Sequence, residues 1–461
     1  MKRARTLPDR DRQGSVLVLS LIFLAMFSAL AAAMATMSGT NVQIAENQRQ
    51  ASRALASAQS GVEVLRYYLT DVNIPAVAPG DRLDSVFNSL QGALVGTNIS
   101  VSYNSTTKTL AVPSVALDSG TNQSFAATMT YDGSDFDTLH VVVTGSSREA
   151  TKQVGVNYHF ATVGNPIFDW GIATKGPLKT QGNVDIEGFN EAFEASIYIE
   201  SLNSSLALDM TGKSSIAGSV TIANGSANVS ISSSSSVHGA KGEAAMRYIT
   251  IGAAPQEFPT PNPIEFAGYI QTTFNPATDP TSNVTLTNVE IPPNANPSFS
   301  GNTVIRGILY IHPPNAVSFT GNATIHGLIV AEGVVADPSE LNHLDFGGNV
   351  TSYDVSTLPP EQFGDLTQQT GTFILAPGFS VRFRGNFSTV NGVIAASGVQ
   401  FQGNAGGTIN GSVINYSNDR MELAGNTDLV FNRSGRDKVP AGFQPSTTLQ
   451  FMPESYCEGV L

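Results

Sequence analysis

The stretch Arg12-Gln13-Gly14-Ser15-Val16-Leu17-Val18-Leu19-Ser20-Leu21-Ile22-Phe23-Leu24 decides how this 461-residue chain is organised. Upstream, Lys2, Arg3, Arg5, Arg10 and Arg12 outweigh Asp9 and Asp11; downstream, no charged residue follows until Glu46. A secretory signal peptide places its apolar region ahead of the cleavage site. Here a basic leader, residues 1–14, runs straight into the apolar segment, so the expected cut lies after Gly14 and the mature chain begins at Ser15 with that segment retained. The uncharged run exceeds the roughly 20 residues that cross a hydrocarbon core. By the positive-inside rule the N-terminus is cytoplasmic and everything downstream is exported.

No proline interrupts the chain between Pro8 and Pro75, which predicts one helix over residues 15–69. Its second half changes character. Ala51, Leu55, Ala58, Val62, Leu65 and Leu69 recur at alternating spacings of four and three, with Arg49, Arg53, Glu63 and Arg66 between them. That is an amphipathic seam able to carry a folded head, whereas the first half is apolar all round.

The run from Gln13 to Leu24, followed by Ala45-Glu46-Asn47 and Ala58-Gln59-Ser60-Gly61-Val62-Glu63, resembles the PilX-type N-terminal domain of minor type IV pilins. The resemblance covers the leader and the helix only. It implies cleavage by a prepilin peptidase after Gly14, N-methylation at Ser15, a single pass through a bacterial inner membrane, and assembly with other pilins, minor pilins and the pilus machinery. In the wider family the fifth mature residue is a glutamate that neutralises the N-terminal ammonium of a neighbouring subunit. Here that position is Leu19. An unpaired buried charge is costly, so the departure favours a minor or tip role over that of a major pilin.

Composition points to an exported, non-catalytic chain. Charged residues make up 13%, and Gly and Pro number 43 and 24. The formal charge of −13 becomes −16 once the leader's five basic and two acidic residues are removed. Such a surface offers no footprint for nucleic acid. Cys457 is the only cysteine, which excludes an intramolecular disulfide.

Residues 70–162 read as a β-rich head completing an α+β pilin-like module. Alternating runs fall at 98–103, 109–112, 124–131, 138–144 and 152–158, separated by turn residues such as Asn104-Ser105 and Asp132-Gly133-Ser134, which predicts an antiparallel meander. Asp132, Asp135 and Asp137 miss the calcium-loop spacing and read as an acidic turn.

Beyond Gly171 a unit repeats: an apolar or β-branched residue, any residue, then Gly-Asn. The pairs are Gly182-Asn183, Gly301-Asn302, Gly321-Asn322, Gly348-Asn349, Gly385-Asn386, Gly403-Asn404 and Gly425-Asn426. Five are preceded by Phe299, Phe319, Phe346, Phe383 or Phe401. This pattern predicts an all-β right-handed β-solenoid. Phenylalanines would stack inward, glycines take positive φ at corners, and asparagine amides pair from rung to rung. The expected division is a first solenoid segment over 163–238, a Pro-rich surface excursion over 239–282, the main solenoid over 283–435 and a C-terminal tail over 436–461.

Signatures of chemistry are sparse. The six histidines are scattered, with no metal-ligand spacing, and neither P-loop nor nucleophile elbow occurs. No cofactor or metal is expected. Parallel β-helices can host polysaccharide-cleaving sites, for which the candidates are His343 with Asp345 and Arg382 with Arg384, each pair sharing a strand face. The bland reading is a solvated outer face beside Phe346 and Phe383. The sequence is therefore read as a non-enzymatic minor pilin-like protein of a type IV pilus or pseudopilus, serving assembly or surface display and adhesion, with a polysaccharide or cell-surface ligand as a further partner. The alternative is a membrane-anchored extracytoplasmic β-helix protein that binds or cleaves polysaccharide.

Overall fold

A computed structural model describes residues 12–74, 79–118, 120, 122–133, 135–335, 340–435 and 439–459. Leader residues 1–11 and Ser134 of the acidic turn lie outside the described residues. The chain divides into two compact units. One comprises Met1–Ala161 with Thr447–Leu461, the other Thr162–Ser446.

In the first unit a single helix, α1, spans Arg12–Thr70. Unbroken Ala- and Leu-rich sequence without proline allows that length. Beyond Arg49 its stripe is buried: Ala54, Ala58, Val62, Leu65 and Leu69 are sealed, and Ala51 and Leu55 half-buried. Helix and sheet approach closely at two glycines. A Cβ on Gly145 would overlap the backbone of Ala54 and Ala58, and one on Gly61 would meet Phe125 and Val143 at 2.7 Å.

The sheet has seven strands, in spatial order Asn73–Ile74, Ser446–Glu458, Ala150–Val163, Asp135–Ser147, Gln123–Asp132, Thr109–Asp118 and Ser102–Asn104. The five strands from Ser102 to Val163 form an antiparallel meander. Two features depart from expectation. The segment read as a tail, 436–461, supplies the strand Ser446–Glu458, which pairs with Asn73–Ile74; the second unit is thus an insertion within the first. Helix α2, Arg82–Ala93, stands where only strands were expected and buries Leu83, Val86 and Leu90 on one face. The Tyr131 hydroxyl holds its start, accepting from Leu83 N at 3.1 Å and donating to the Pro79 carbonyl at 2.8 Å.

The second unit is built almost entirely from parallel strand pairs. Asn302–Ile311 lies beside Asn322–Ala331 in unbroken register over the whole length of both, each residue beside the one 20 positions on. One inward position passes through many strands: Phe299 beside Phe319, then Phe346, Phe383, Phe401, Leu423, Thr180, Met210 and Ile231. The five phenylalanines stack with ring centroids 5.3, 5.0, 4.9 and 5.2 Å apart.

Spatial order differs from chain order. Met421–Phe431, late in the chain, pairs along its whole length with Leu178–Gly188, and residues 206–222 and 228–251 stack beyond that. The chain thus enters the ladder at its middle and builds one end. It then crosses to the other end at Thr272, where Thr272–Thr273 pairs with Val289–Glu290, before running back to its start. The expected excursion begins later than residue 239, because regular pairing continues to Ile251 beside Ile222. Nor is all of it a surface loop, although residues 275–283 are exposed or half-buried. Phe258 and Phe266 are buried over the outward-facing Tyr310, Leu328, Leu375 and Tyr416, making a second apolar layer that the prolines permit because no ladder donors are needed there.

Candidate functional site: an exposed apolar helix and a Gly-Asn ladder

From Val16 to Ile44 the side chains of α1 face outward, including Leu19 at 57% exposure. This part of the helix is long and apolar enough to cross a membrane, with a mean hydropathy of 2.6 in its best window. Its hydroxyls are turned back onto its own carbonyls: Ser20 donates to Leu17 at 2.9 Å, Ser28 to Leu24 at 2.7 Å and Thr40 to Thr36 at 2.9 Å. Hydroxyls satisfied in this way are not left unpaired toward lipid or a neighbouring helix. Charge begins abruptly at Glu46, which pairs with Arg49 at 2.6 Å and with Arg148 of the head at 3.5 Å. Gly14 and Ser15 fall in the first turns of α1, and Leu19 offers no carboxylate.

Asn302 and Asn322 open strands, whereas Gly182-Asn183 and Gly425-Asn426 lie in the middle of Leu178–Gly188 and Met421–Phe431. Asn322 donates to Asn302 at 3.1 Å, Asn349 to Asn322 at 3.2 Å and Asn183 to Asn426 at 3.2 Å. Asn386 and Asn404 form no such amide pair among the described residues. Beside them Phe387 turns into the core, 5.7 Å from Phe383, and interrupts the corner. Positive φ is found at Gly182, Gly301, Gly403 and Gly425. At Gly321, Gly348 and Gly385 the requirement is different: a Cβ would overlap the carbonyl of the glycine in the preceding strand.

The candidate catalytic pairs do not converge on a reactive centre. Asp345, 9% exposed, is bound by Arg384, whose Nε donates to Oδ1 at 3.0 Å. Arg382 donates instead to Gln400 at 3.1 Å, and His343 contacts the Glu340 carbonyl at 3.2 Å. In the first unit, Asp135 accepts from Asp137 N at 2.8 Å and Asp137 pairs with Arg82 at 2.7 Å, as a turn would. No group of three or more metal-ligating side chains occurs among the described residues. Cys457 is a free thiol.

Three arrangements were not foreseen. His312 lies between Glu332 at 2.6 Å and Glu290 at 2.9 Å; burial opposes its charge, but the two carboxylates hold its pKa above the ordinary value. Asp185 and Asp428 sit side by side in register, and burial together with Asp428 pushes the Asp185 carboxyl up. A pocket lined by Trp170 and Phe193 opens between the first and last strands of the ladder. The aspartate pair and the pocket join residues far apart in sequence, whereas His312 lies 20 and 22 positions from its two partners, close to the strand-to-strand spacing.

The PilX N-terminal family matches residues 13–63. A search among curated proteins gave no match. Among solved structures, the crystal structure of the competence-associated pilin ComZ from Thermus thermophilus is similar, with 16% identity over 89% of this chain and 97% of that chain. Its TM-score is 0.24, so the likeness carries no argument about the fold. The N-terminal segment is pilin-like, on the strength of the family match.

Proposed function

We propose that this chain is a minor pilin-like subunit of a type IV pilus or pseudopilus, displaying a right-handed β-solenoid outside the cell. The observation that carries the reading is α1 itself: one helix whose first half is apolar and bare and whose second half is sealed under a folded head. In this scheme a prepilin peptidase cuts after Gly14, Ser15 is methylated, and the bare half rests in the inner membrane with its N-terminus cytoplasmic. It then packs among other pilins in the filament. The 20-residue parallel register supports the solenoid reading, and the handedness follows from the rule that parallel strands are joined by right-handed crossovers. The role is structural, in assembly or adhesion, without catalysis.

Mass spectrometry of the mature protein tests the scheme. The expected N-terminus is Ser15, and Gly14→Val should block maturation. A mature protein starting at Met1, or cut near Ala33, would sink the proposal. Because Leu19 lacks a carboxylate, the subunit should also be scarce in sheared filaments beside the major pilin, and Leu19→Glu should ease its incorporation.

One observation favours a second reading, polysaccharide cleavage. Asp185 and Asp428 are adjacent carboxylates in a depression of about 360 Å³ that Lys213 also lines, and paired carboxylates are the usual equipment for glycoside hydrolysis. Release of reducing ends from polysaccharide, abolished by Asp185→Asn, would establish it.

A further inference from the structure

A shallow pocket of about 300 Å³ opens in the second unit where its earliest strands meet its last. Its walls are fixed by polar contacts that leave little freedom. The Asn165 side chain caps the turn Pro166–Asp169, accepting from Ile167 N at 2.9 Å and donating to the Glu257 carbonyl at 2.9 Å, which ties the turn to the Pro-rich segment. The loop bearing Phe193 is held by Glu194, which is 2% exposed. Its carboxylate accepts from the backbone N–H groups of Asn190 at 2.7 Å, Glu191 at 3.3 Å and Arg433 at 3.0 Å. Burial works against the charge, yet these hydrogen bonds keep its pKa low and the group ionised. The Arg433 side chain donates to the carbonyls of Asp169, Phe193 and Glu194, so the one cation at the pocket is committed to main chain.

Apart from the exposed Asp169 carboxylate, what faces solvent is aromatic and neutral. Phe193 is 60% exposed, with the Arg433 guanidinium 5.5 Å from its ring centroid. Trp170 leans on Tyr198 at 5.8 Å, and its indole N–H donates to Gln256 Oε1 at 3.2 Å. That bond orients the Gln256 amide, whose Nε2 donates to no described residue. The hydroxyls of Ser196 and Ser219 lie 3.4 Å apart at the pocket wall.

Holding large aromatic rings in water on so rigid a frame is unfavourable unless something covers them. The chemistry of the walls selects the ligand. Aromatic faces are electron-rich and attract polarised C–H groups. The amide and hydroxyls exchange hydrogen bonds with neutral partners. A phosphate or carboxylate would meet a cation already engaged, the Asp169 carboxylate, and a chain of net charge −13. A pyranose ring has one C–H face and a rim of hydroxyls. The volume, at the low end for small-molecule sites, fits one or two such rings, and the open mouth allows a chain to continue beyond them.

We propose that Trp170, Phe193, Ser196, Ser219 and Gln256 bind a neutral pyranose unit of an extracellular polysaccharide. This deepens the surface-display reading and rests on it for access to the ligand, but its test needs no pilus: failure to bind would remove the site and leave the N-terminal processing scheme untouched, and the reverse holds too.

Trp170 is the only tryptophan in the chain, so emission excited selectively at the indole, beyond tyrosine absorption, reports on this pocket alone. The detergent-solubilised full chain should be titrated with cellohexaose, mannohexaose and chitohexaose to about 10 mM, above the Kd of even a weak site. The expected result is a saturable change in emission with at least one of them, with Kd weakened at least about tenfold in both Phe193→Ala and Gln256→Ala. Phe193 and Gln256 are not core residues, so both variants should keep the parent's circular dichroism. Val334→Ala, on another surface, should bind as the parent does. Absence of a saturable change with all three sugars, unchanged binding by both pocket variants, or tighter binding of an oligogalacturonate than of any neutral sugar would overturn the proposal.

Discussion

Two parts of the same ladder solve one problem differently. Between Phe299 and Phe401 the inward position is filled by a phenylalanine in every strand, and rings stack within about a van der Waals contact of each other. Beyond Phe401 the same position holds Leu423, Thr180, Met210 and Ile231. The backbone register does not notice the change. Met421–Phe431 pairs with Leu178–Gly188 without a shift, so register is carried by main-chain hydrogen bonds and by glycines that let strands close up. Side-chain identity then sets how well the core is filled. The phenylalanine part should be the more sensitive to truncation.

The sharpest way to break the comparison is therefore at Phe383, which is fully buried between Phe346 and Phe401. Phe383→Ala should cost about 3–5 kcal/mol, and Phe383→Asp more, since it places a carboxylate between stacked rings. Denaturant unfolding of the full chain, followed by β-sheet circular dichroism, measures both. A cost below that of a surface substitution would show that the stack is not what holds this part of the ladder.

Next in size is Arg384. By strand alternation its side chain lies on the face opposite Phe383, where removal should cost no more than about 0.5 kcal/mol. Its bond to the buried Asp345 changes that expectation. Arg384→Ala strands a carboxylate, and the loss should be about 1–3 kcal/mol. The double variant with Asp345→Asn should recover part of it.

Thr180 tests the other part of the ladder. Its hydroxyl is buried without a hydrogen-bond partner among the described residues, in the column otherwise filled by apolar groups. Thr180→Val keeps the shape and removes the orphan group, so a gain of about 1 kcal/mol is expected. A loss would mean that the hydroxyl is satisfied and that the two parts are packed equally well.

These contrasts also explain what the sequence made legible. The helix was readable because thirty-odd uncharged positions leave no competing solution, a case of composition alone deciding. The phenylalanine column was readable because its Gly-Asn markers travel with it. The docking of residues 172–251 on the far end was not, since Asn183 and its partner Asn426 are 243 positions apart and any parallel edge of matching register could have received them. The strand Ser446–Glu458 was missed for the same reason: its place in the first sheet depends on where the insertion returns the chain. Helix α2 did carry a signal, Leu83, Val86 and Leu90 on one face, but it is short and sits among strand-like runs. Of the site, the apolar helix and the Gly-Asn repeat could be read, whereas the Trp170 pocket draws on residues from 166 to 433 and exists only once the late strands dock on the early ones.

The smallest effect concerns the junction itself. Asp185 and Asp428 are brought side by side only because the late strand docks on the early one. Burial, and then the Asp428 charge, raise the Asp185 pKa above its ordinary 3.8. The folded state therefore holds a proton more tightly than the unfolded chain, so stability is highest below the unfolded pKa and falls as pH rises through the raised folded value. At neutral pH the pair works against the junction, and Asp185→Asn should stabilise by about 0.2–1 kcal/mol, the range for like charges directly opposite in a sheet. The gain should fade when unfolding is measured below pH 3.8, where the Asp185 carboxyl is protonated in the parent. An Asp185→Asn gain that is independent of pH would place its origin in packing rather than charge. No gain at any pH would mean that the two carboxylates are screened from each other and that the junction carries no electrostatic strain.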